Sequence, residues 1–201
     1  MDFETQARIS LERIAASKPL IHQITNVVVT NDSANLTLGF GALPVMAYAP
    51  EEVAEMAAIS QALVLNIGTL SAGEIEAMLI AGRAAAARAV PIVLDPVGAG
   101  ATRFRTESAL RLLAELPITV LRGNRGEIGA LVGAGQVRGV EAVGTEDPRA
   151  VARAAAERAA AGAGGPGTFR ARLLDEVAAL GEASVHGLRV EAGADADAGP
   201  R

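Results

Sequence analysis

The sequence predicts an α/β protein built on a parallel sheet with helices on its faces. Short apolar or β-branched runs alternate with longer segments of helical periodicity, as in a series of βα units. Two runs, Ala62-Leu-Val-Leu-Asn-Ile67 and Val90-Pro-Ile-Val-Leu94, read as strands covered on both faces, since their apolar residues do not alternate with polar ones. The polar residues with chemical capacity gather just after the runs, where open parallel sheets bind ligands.

Each element has its own signal. Phe3, Ala7, Ile9, Leu11 and Ile14 recur at helical spacing over residues 3–17, and Lys18-Pro19 stops that helix. Leu20 to Ile24 reads as a short strand. Thr25-Asn26 opens a second helix, Val27 to Leu38, closed by Gly39-Phe40-Gly41. Leu43 to Tyr48 reads as a strand, and Pro50-Glu51-Glu52 starts a helix with proline in its first turn and acids against the dipole. Ser71 caps a long Ala-rich helix reaching about Ala89. A helix over 106–115 and a strand over 118–122 follow, then a helical segment from Glu127 to Val132. Beyond it, Gly133 to Gly144 reads as irregular, with no strand expected further on. Pro148 to Ala161 and Phe169 to Leu180 read as helices around a Gly-rich break, and the Ala/Asp/Gly-rich end as a disordered tail. The predicted organisation is a core over 1–144, residual C-terminal helices over 145–190 and a tail over 191–201.

Composition narrows the function. At 201 residues and 50% hydrophobic, the chain can bury one sizeable core. A net charge of −5 without basic runs disfavours nucleic acid and anionic membranes as partners. Aromatics at 2% and no Trp leave no base-stacking platform. Without cysteine there are no disulfides, thiolate metal sites or Cys nucleophile, and two histidines, His22 and His186, exclude a His-rich metal centre. The acidic start shows no signal peptide and no apolar run reaches membrane-spanning length, so the expectation is a cytoplasmic protein.

The most suggestive stretch is Leu121-Arg-Gly-Asn-Arg-Gly-Glu127, where a strand runs into a helix start. It sets a guanidinium and free backbone N–H groups at the mouth of the sheet, an arrangement that suits an anion. Asn124 and Glu127, three apart, either help hold phosphate and a hydrated Mg²⁺ or form a capping-box pair. Asp95, after a buried strand and before Pro-x-Gly-x-Gly, either coordinates metal or takes a proton, or else shapes a turn before proline. Asn26 binds a polar ligand atom or caps the helix from Val27, and Met46 fills core or lines a pocket. His22 reads as a hydrogen-bonded strand histidine. Gly39-x-Gly41 lacks the flanking strand and helix of a dinucleotide fingerprint, and no P-loop is present, the only lysine being Lys18.

Five segments in order carry a resemblance: Pro19-Leu-Ile-His-Gln-Ile-Thr-Asn26, Gly41-Ala-Leu-Pro-Val-Met46, Leu65-Asn-Ile-Gly-Thr-Leu70, Leu94-Asp-Pro-Val-Gly-Ala-Gly100 and Arg122-Gly-Asn-Arg-Gly-Glu127. Together they resemble the hydroxyethylthiazole kinases of the ribokinase-like superfamily. Pro166-Gly-Thr-Phe169 with Leu173-Leu-Asp175 looks like that family's C-terminal helix. The resemblance implies a three-layer α/β/α sheet fold and ATP- and Mg²⁺-dependent phosphorylation of the hydroxyl of hydroxyethylthiazole. It implies that Met46, Asn26 and Val28 line the thiazole pocket and that Arg122 and Asn124 meet ATP. Asp95 and Glu127 would serve Mg²⁺, in a homotrimer whose thiazole site lies between subunits. The family's Cys near the substrate hydroxyl is absent here, and Asp95, a proton acceptor by its own position, stands as the catalytic residue.

The chain departs from the family in its second half. The family's further strands, its Val-Thr-Gly strand end and its Gly-Thr-Gly-Cys helix start are absent, and Ala159–Gly165 joins segments that are distant in the family. The expectation is a sheet lacking its C-terminal part, with an exposed edge. Loss of one oxyanion-type donor alone commonly costs roughly 10²–10³ in rate. Two functions follow from the resemblance: an active kinase, or a catalytically inactive remnant that binds thiazole or joins an intact subunit.

Overall fold

A computed structural model describes residues 3–133, 136–138, 141–143 and 170–173. The elements follow in order as α1 (Phe3–Ser17), β1 (Leu20–Ile24), α2 (Thr30–Gly39), β2 (Leu43–Val45), α3 (Val53–Ile59), β3 (Ala62–Asn66) and α4 (Ala72–Ala87). After these come β4 (Ile92–Asp95), α5 (Arg103–Glu115), β5 (Val120–Gly123), α6 (Arg125–Leu131), β6 (Gln136–Arg138), β7 (Glu141–Val143) and β8 (Arg170–Leu173).

Six strands form one parallel sheet in the order β2-β1-β3-β4-β5-β8. The unalternating runs do lie at its centre, as β3 and β4. Leu63, Leu65, Ile92 and Leu94 are wholly buried there, joined by Met78 and Leu79 of α4, Leu112 of α5, Leu116, Leu121 and Ile128. Burying each such side chain contributes about 1.5–3 kcal/mol. Gly82 lets the end of α5 approach α4, because a Cβ there would overlap the Leu116 methyls.

The chain steps from β1 outward to β2, then back past β1 to β3, β4 and β5. Right-handed crossovers therefore place α2 on one face and α3, α4 and α5 on the other. The winding direction reverses between β1 and β3. In open α/β sheets that switch point, beyond the carboxyl ends of the strands, is where the ligand crevice lies.

Several boundaries differ from expectation, each for a local reason. The second helix starts at Thr30, not Val27, because Asn26 Oδ1 accepts from the Val28 and Val29 N–H groups at 3.1 and 3.2 Å, closing a turn first. α5 starts earlier than residue 106, at Arg103, because the Thr102 hydroxyl accepts from Arg105 N. β2 ends at Val45 and leaves Met46 to Tyr48 outside the sheet.

The C-terminal expectations need more correction. Within the stretch expected to be irregular, β6 and β7 pair antiparallel. Arg170–Leu173, expected at the start of a helix, is a strand paired in parallel with β5 from Val120↔Arg170 to Gly123↔Leu173. The reason is nonlocal: the outer edge of β5 offers unpaired N–H and C=O groups, and pairing them outweighs helical spacing in a short segment. The helix expected over 148–161 and the tail over 191–201 lie outside the described residues.

Candidate functional site

Strand register brings the polar residues together. Asn66 pairs with Asp95 across β3 and β4, and Leu94 pairs with Leu121, so the next residues, Asp95 and Arg122, are level. On the other side Ile24 pairs with Leu65, which sets the chain after β1 beside Asn66. The four strand ends thus present Asn26, Asn66, Asp95 and Arg122 in a row.

Hydrogen bonds join that row end to end. Arg122 Nη1 donates to Asp95 Oδ2 at 2.6 Å, and Asn66 Nδ2 donates to the same oxygen at 3.0 Å. Asn26 Nδ2 donates to Asn66 Oδ1 at 2.9 Å, as does Gly68 N at 2.9 Å. Gly68 has no room for a side chain, since a Cβ would stand 2.8–2.9 Å from the Asn26 amide. Asp95 is buried while Arg122 remains half exposed. Burial pushes the Asp95 carboxyl above its ordinary range, more than the Arg122 charge and the hydrogen bonds from Arg122 and Asn66 pull it down.

Asp95 Oδ1 is buried and has no hydrogen-bond partner. An orphaned carboxylate oxygen at the mouth of a sheet is costly unless a donor or cation meets it. It is a suitable atom for a substrate hydroxyl or a cation.

Glu127 has a different place. Its Oε1 accepts from Gly98 N at 2.8 Å and its Oε2 from Asn124 N at 3.0 Å, while Asn124 Oδ1 accepts from Glu127 N at 2.9 Å. The capping box left open in the sequence is therefore formed, and Glu127 ties the 96–100 loop to the start of α6. Burial raises its carboxyl too. Among the described residues no cluster of three or more His, Asp or Glu side chains could cage a metal ion.

Met46 is partly buried in the segment after β2, and that segment is strapped to β1. His22 Nε2 donates to Ala47 O at 2.9 Å, and the Tyr48 hydroxyl donates to Thr25 O at 3.2 Å. His22 is only half satisfied, because its buried Nδ1 has no partner. Val28 is 78% exposed on the turn that Asn26 closes. The row thus gathers Asn26, Asp95 and Arg122, and the strap brings the Met46 segment alongside β1.

Two side chains escaped sequence reasoning. Asn66 stands in two of the segments quoted from the sequence with no role given to it, and it is the bond between the halves of the row. Arg105 carried no signal at all. Its guanidinium donates to Ile67 O, Val97 O and Gly68 O at 2.8–2.9 Å, fastening together the loops after β3 and β4.

The family model for the hydroxyethylthiazole kinase family matches residues 11–160. The chain belongs to the hydroxyethylthiazole kinase family. The hydroxyethylthiazole kinase of Methanosphaerula palustris is 62% identical over 146 residues, covering 72% of this chain and 55% of that relative. The hydroxyethylthiazole kinase of Desulforudis audaxviator is 60% identical over 151 residues, again covering 55% of the relative. The solved structure of a hydroxyethylthiazole kinase protein from Pyrococcus horikoshii superposes with a TM-score of 0.70 at 40% identity, over 82% of this chain and 59% of that one. The chain spans about 55% of the length of these curated relatives. The residues matched by the family model, 11–160, include every strand end that contributes to the row.

Proposed function

We propose that this crevice phosphorylates the hydroxyl of hydroxyethylthiazole with ATP, a step of thiamine biosynthesis or salvage. The observation that carries the reading is Asp95 Oδ1, held free and buried beside Arg122 at the carboxyl ends of β4 and β5. The alcohol lies over Asn26, Val28 and Met46, and its hydroxyl approaches Asp95, which takes the proton. A raised carboxyl pKa suits a group that must accept a proton. Arg122, half exposed, turns toward ATP phosphate, with Asn124 at the α6 N-terminus beside it. Phosphoryl transfer then needs mainly positioning and charge neutralisation.

Mg²⁺ fits the residues in one way. It keeps several waters and takes phosphate oxygens, so Asp95 could anchor it through one of those waters while Oδ1 stays open to the hydroxyl. Such an ion would neutralise charge on the transferred phosphate. Glu127 serves it by fixing the 96–100 loop around Asp95. Self-association, as the homotrimer that the resemblance implies, fits the apolar surface around α2, where Val27, Val28, Leu36, Leu38, Phe40 and Leu43 are exposed and no residue of α2 is buried.

A second reading, a thiazole-binding chain without turnover, is favoured by the missing Gly-Thr-Gly-Cys segment. Assay of ATP consumption and thiazole phosphate formation separates the two. Turnover that disappears in Arg122→Ala supports the kinase, whereas thiazole binding without any product supports the binder. A wild type that neither binds nor phosphorylates the alcohol refutes both.

A further inference from the structure

We propose that Asn66 is a positioning residue that couples the two ends of the crevice, so that the Asn26 turn and the Asp95–Arg122 pair respond as one unit. This deepens the reading above and rests on it for the ligand's identity, though the coupling stands on geometry alone.

The polarity of the Asn66 amide is fixed from both sides. Its Oδ1 accepts from Asn26 Nδ2 and Gly68 N, each at 2.9 Å, and its Nδ2 donates to Asp95 Oδ2 at 3.0 Å. Turning the amide over would set NH₂ against two donors and oxygen against a carboxylate. The Asn26 amide is fixed in turn by the Val28 and Val29 N–H groups on its Oδ1. Close contact between Gly68 and Asn26 leaves neither amide room to drift. At the other end Asn66 and Arg122 both load Asp95 Oδ2, so Oδ1 is the oxygen left free.

The free oxygen of Asp95 is thereby set by a turn two strands away. A ligand that moves Val28 must move Asn26, hence Asn66, hence the carboxylate. A backbone route runs beside it, from Val27 N to the Thr69 hydroxyl and from Ile67 N to Asp95 O, but it ends on the Asp95 main chain. Among the described residues the Asn66 amide is the side-chain link that reaches the carboxylate, and Ser or Ala at position 66 is too short to make it.

A double-substitution experiment in the full chain tests the coupling. In ¹⁵N–¹H spectra Asp95→Ala shifts the amide signals of Val28 and Val29 while Asn66 is present. In an Asn66→Ala background the same substitution leaves both signals where they were. Asn66→Ser, which keeps a small polar side chain, serves if Asn66→Ala does not fold. Equal shifts in both backgrounds would mean that Asn66 is only structural and would overturn the proposal. Calorimetry with hydroxyethylthiazole alone gives a second readout. Asp95→Ala weakens binding in both backgrounds, because the direct contact is lost, but about tenfold more when Asn66 is present, within the usual range of coupling between sites. A wild type that binds no hydroxyethylthiazole defeats the functional reading, and the amide shifts still decide the coupling.

Discussion

Burial raises the Asp95 carboxyl further than the Arg122 guanidinium lowers it, so the ionised form is held at a cost to the fold. Between the unfolded value, ordinarily about 3.9, and the higher folded value, the folded chain binds more protons, and stability falls as pH rises through that window. Asp95→Asn keeps the shape, its carbonyl can accept from both Asn66 and Arg122, and its NH₂ takes the unpartnered position. The expected outcome in urea titrations is a variant at least as stable as the wild type at pH 7, without that fall, yet unable to turn over. A large loss of stability would show that the ion pair supports the fold. His22 acts in the opposite sense. Burial pushes its imidazole below the ordinary value, so the unfolded chain takes up a proton first as pH falls through about 6.5, and stability drops from there downward. His22→Gln should remove that step. The roles of single side chains were only partly legible in the sequence. Asp95 and Arg122 were visible because each stands at the end of an apolar run. Asn66 looked no different from its neighbours, since its role depends on two strands distant in sequence.

At the scale of elements, caps and close approaches decide most boundaries. The Asn124–Glu127 box begins a helix too short to hold itself, α6, and its second carboxylate oxygen also anchors Gly98 N. Asn124→Ala should cost about 1 kcal/mol, as for other lost N-caps. Glu127→Ala should cost more, about 1–3 kcal/mol for each buried N–H left unpaired, and should loosen the loop beside Asp95. Equal effects of the two in denaturant unfolding would show that the link to Gly98 contributes nothing. Gly82→Ala is expected to destabilise by about 1–3 kcal/mol through overlap with buried Leu116, against the gain of roughly 1 kcal/mol that Ala ordinarily brings to a helix. The cap at Ser71 was legible in the sequence and the capping box stood as one of two alternatives, whereas the Thr102 cap was missed and its helix set three residues late. The late start of α2 could not be read, because Asn26 spends its side chain on a turn rather than a helix. β8 could not either, because its strand state comes from the edge of β5 and not from its own four residues.

For the whole molecule, the parallel sheet with its reversal between β1 and β3 accounts for where the site lies. The central strands were legible from their unbroken apolar runs, although alternate residues of β3 are only partly buried. Strand order was not, since nothing in β1 states that β2 and β3 flank it. The exposed apolar surface on α2 and the adjoining edge predicts self-association, with a trimeric mass in light scattering. Leu36→Glu and Phe40→Glu should reduce the assembly to monomers without unfolding, and a monomeric wild type would contradict this. The central claim is that the joined strand ends form the alcohol site. Amide shift mapping with hydroxyethylthiazole tests it most directly. The account predicts that Val28, Val29 and Gly68 move while α4 and α5 stay still; signals that move only away from the row would contradict it.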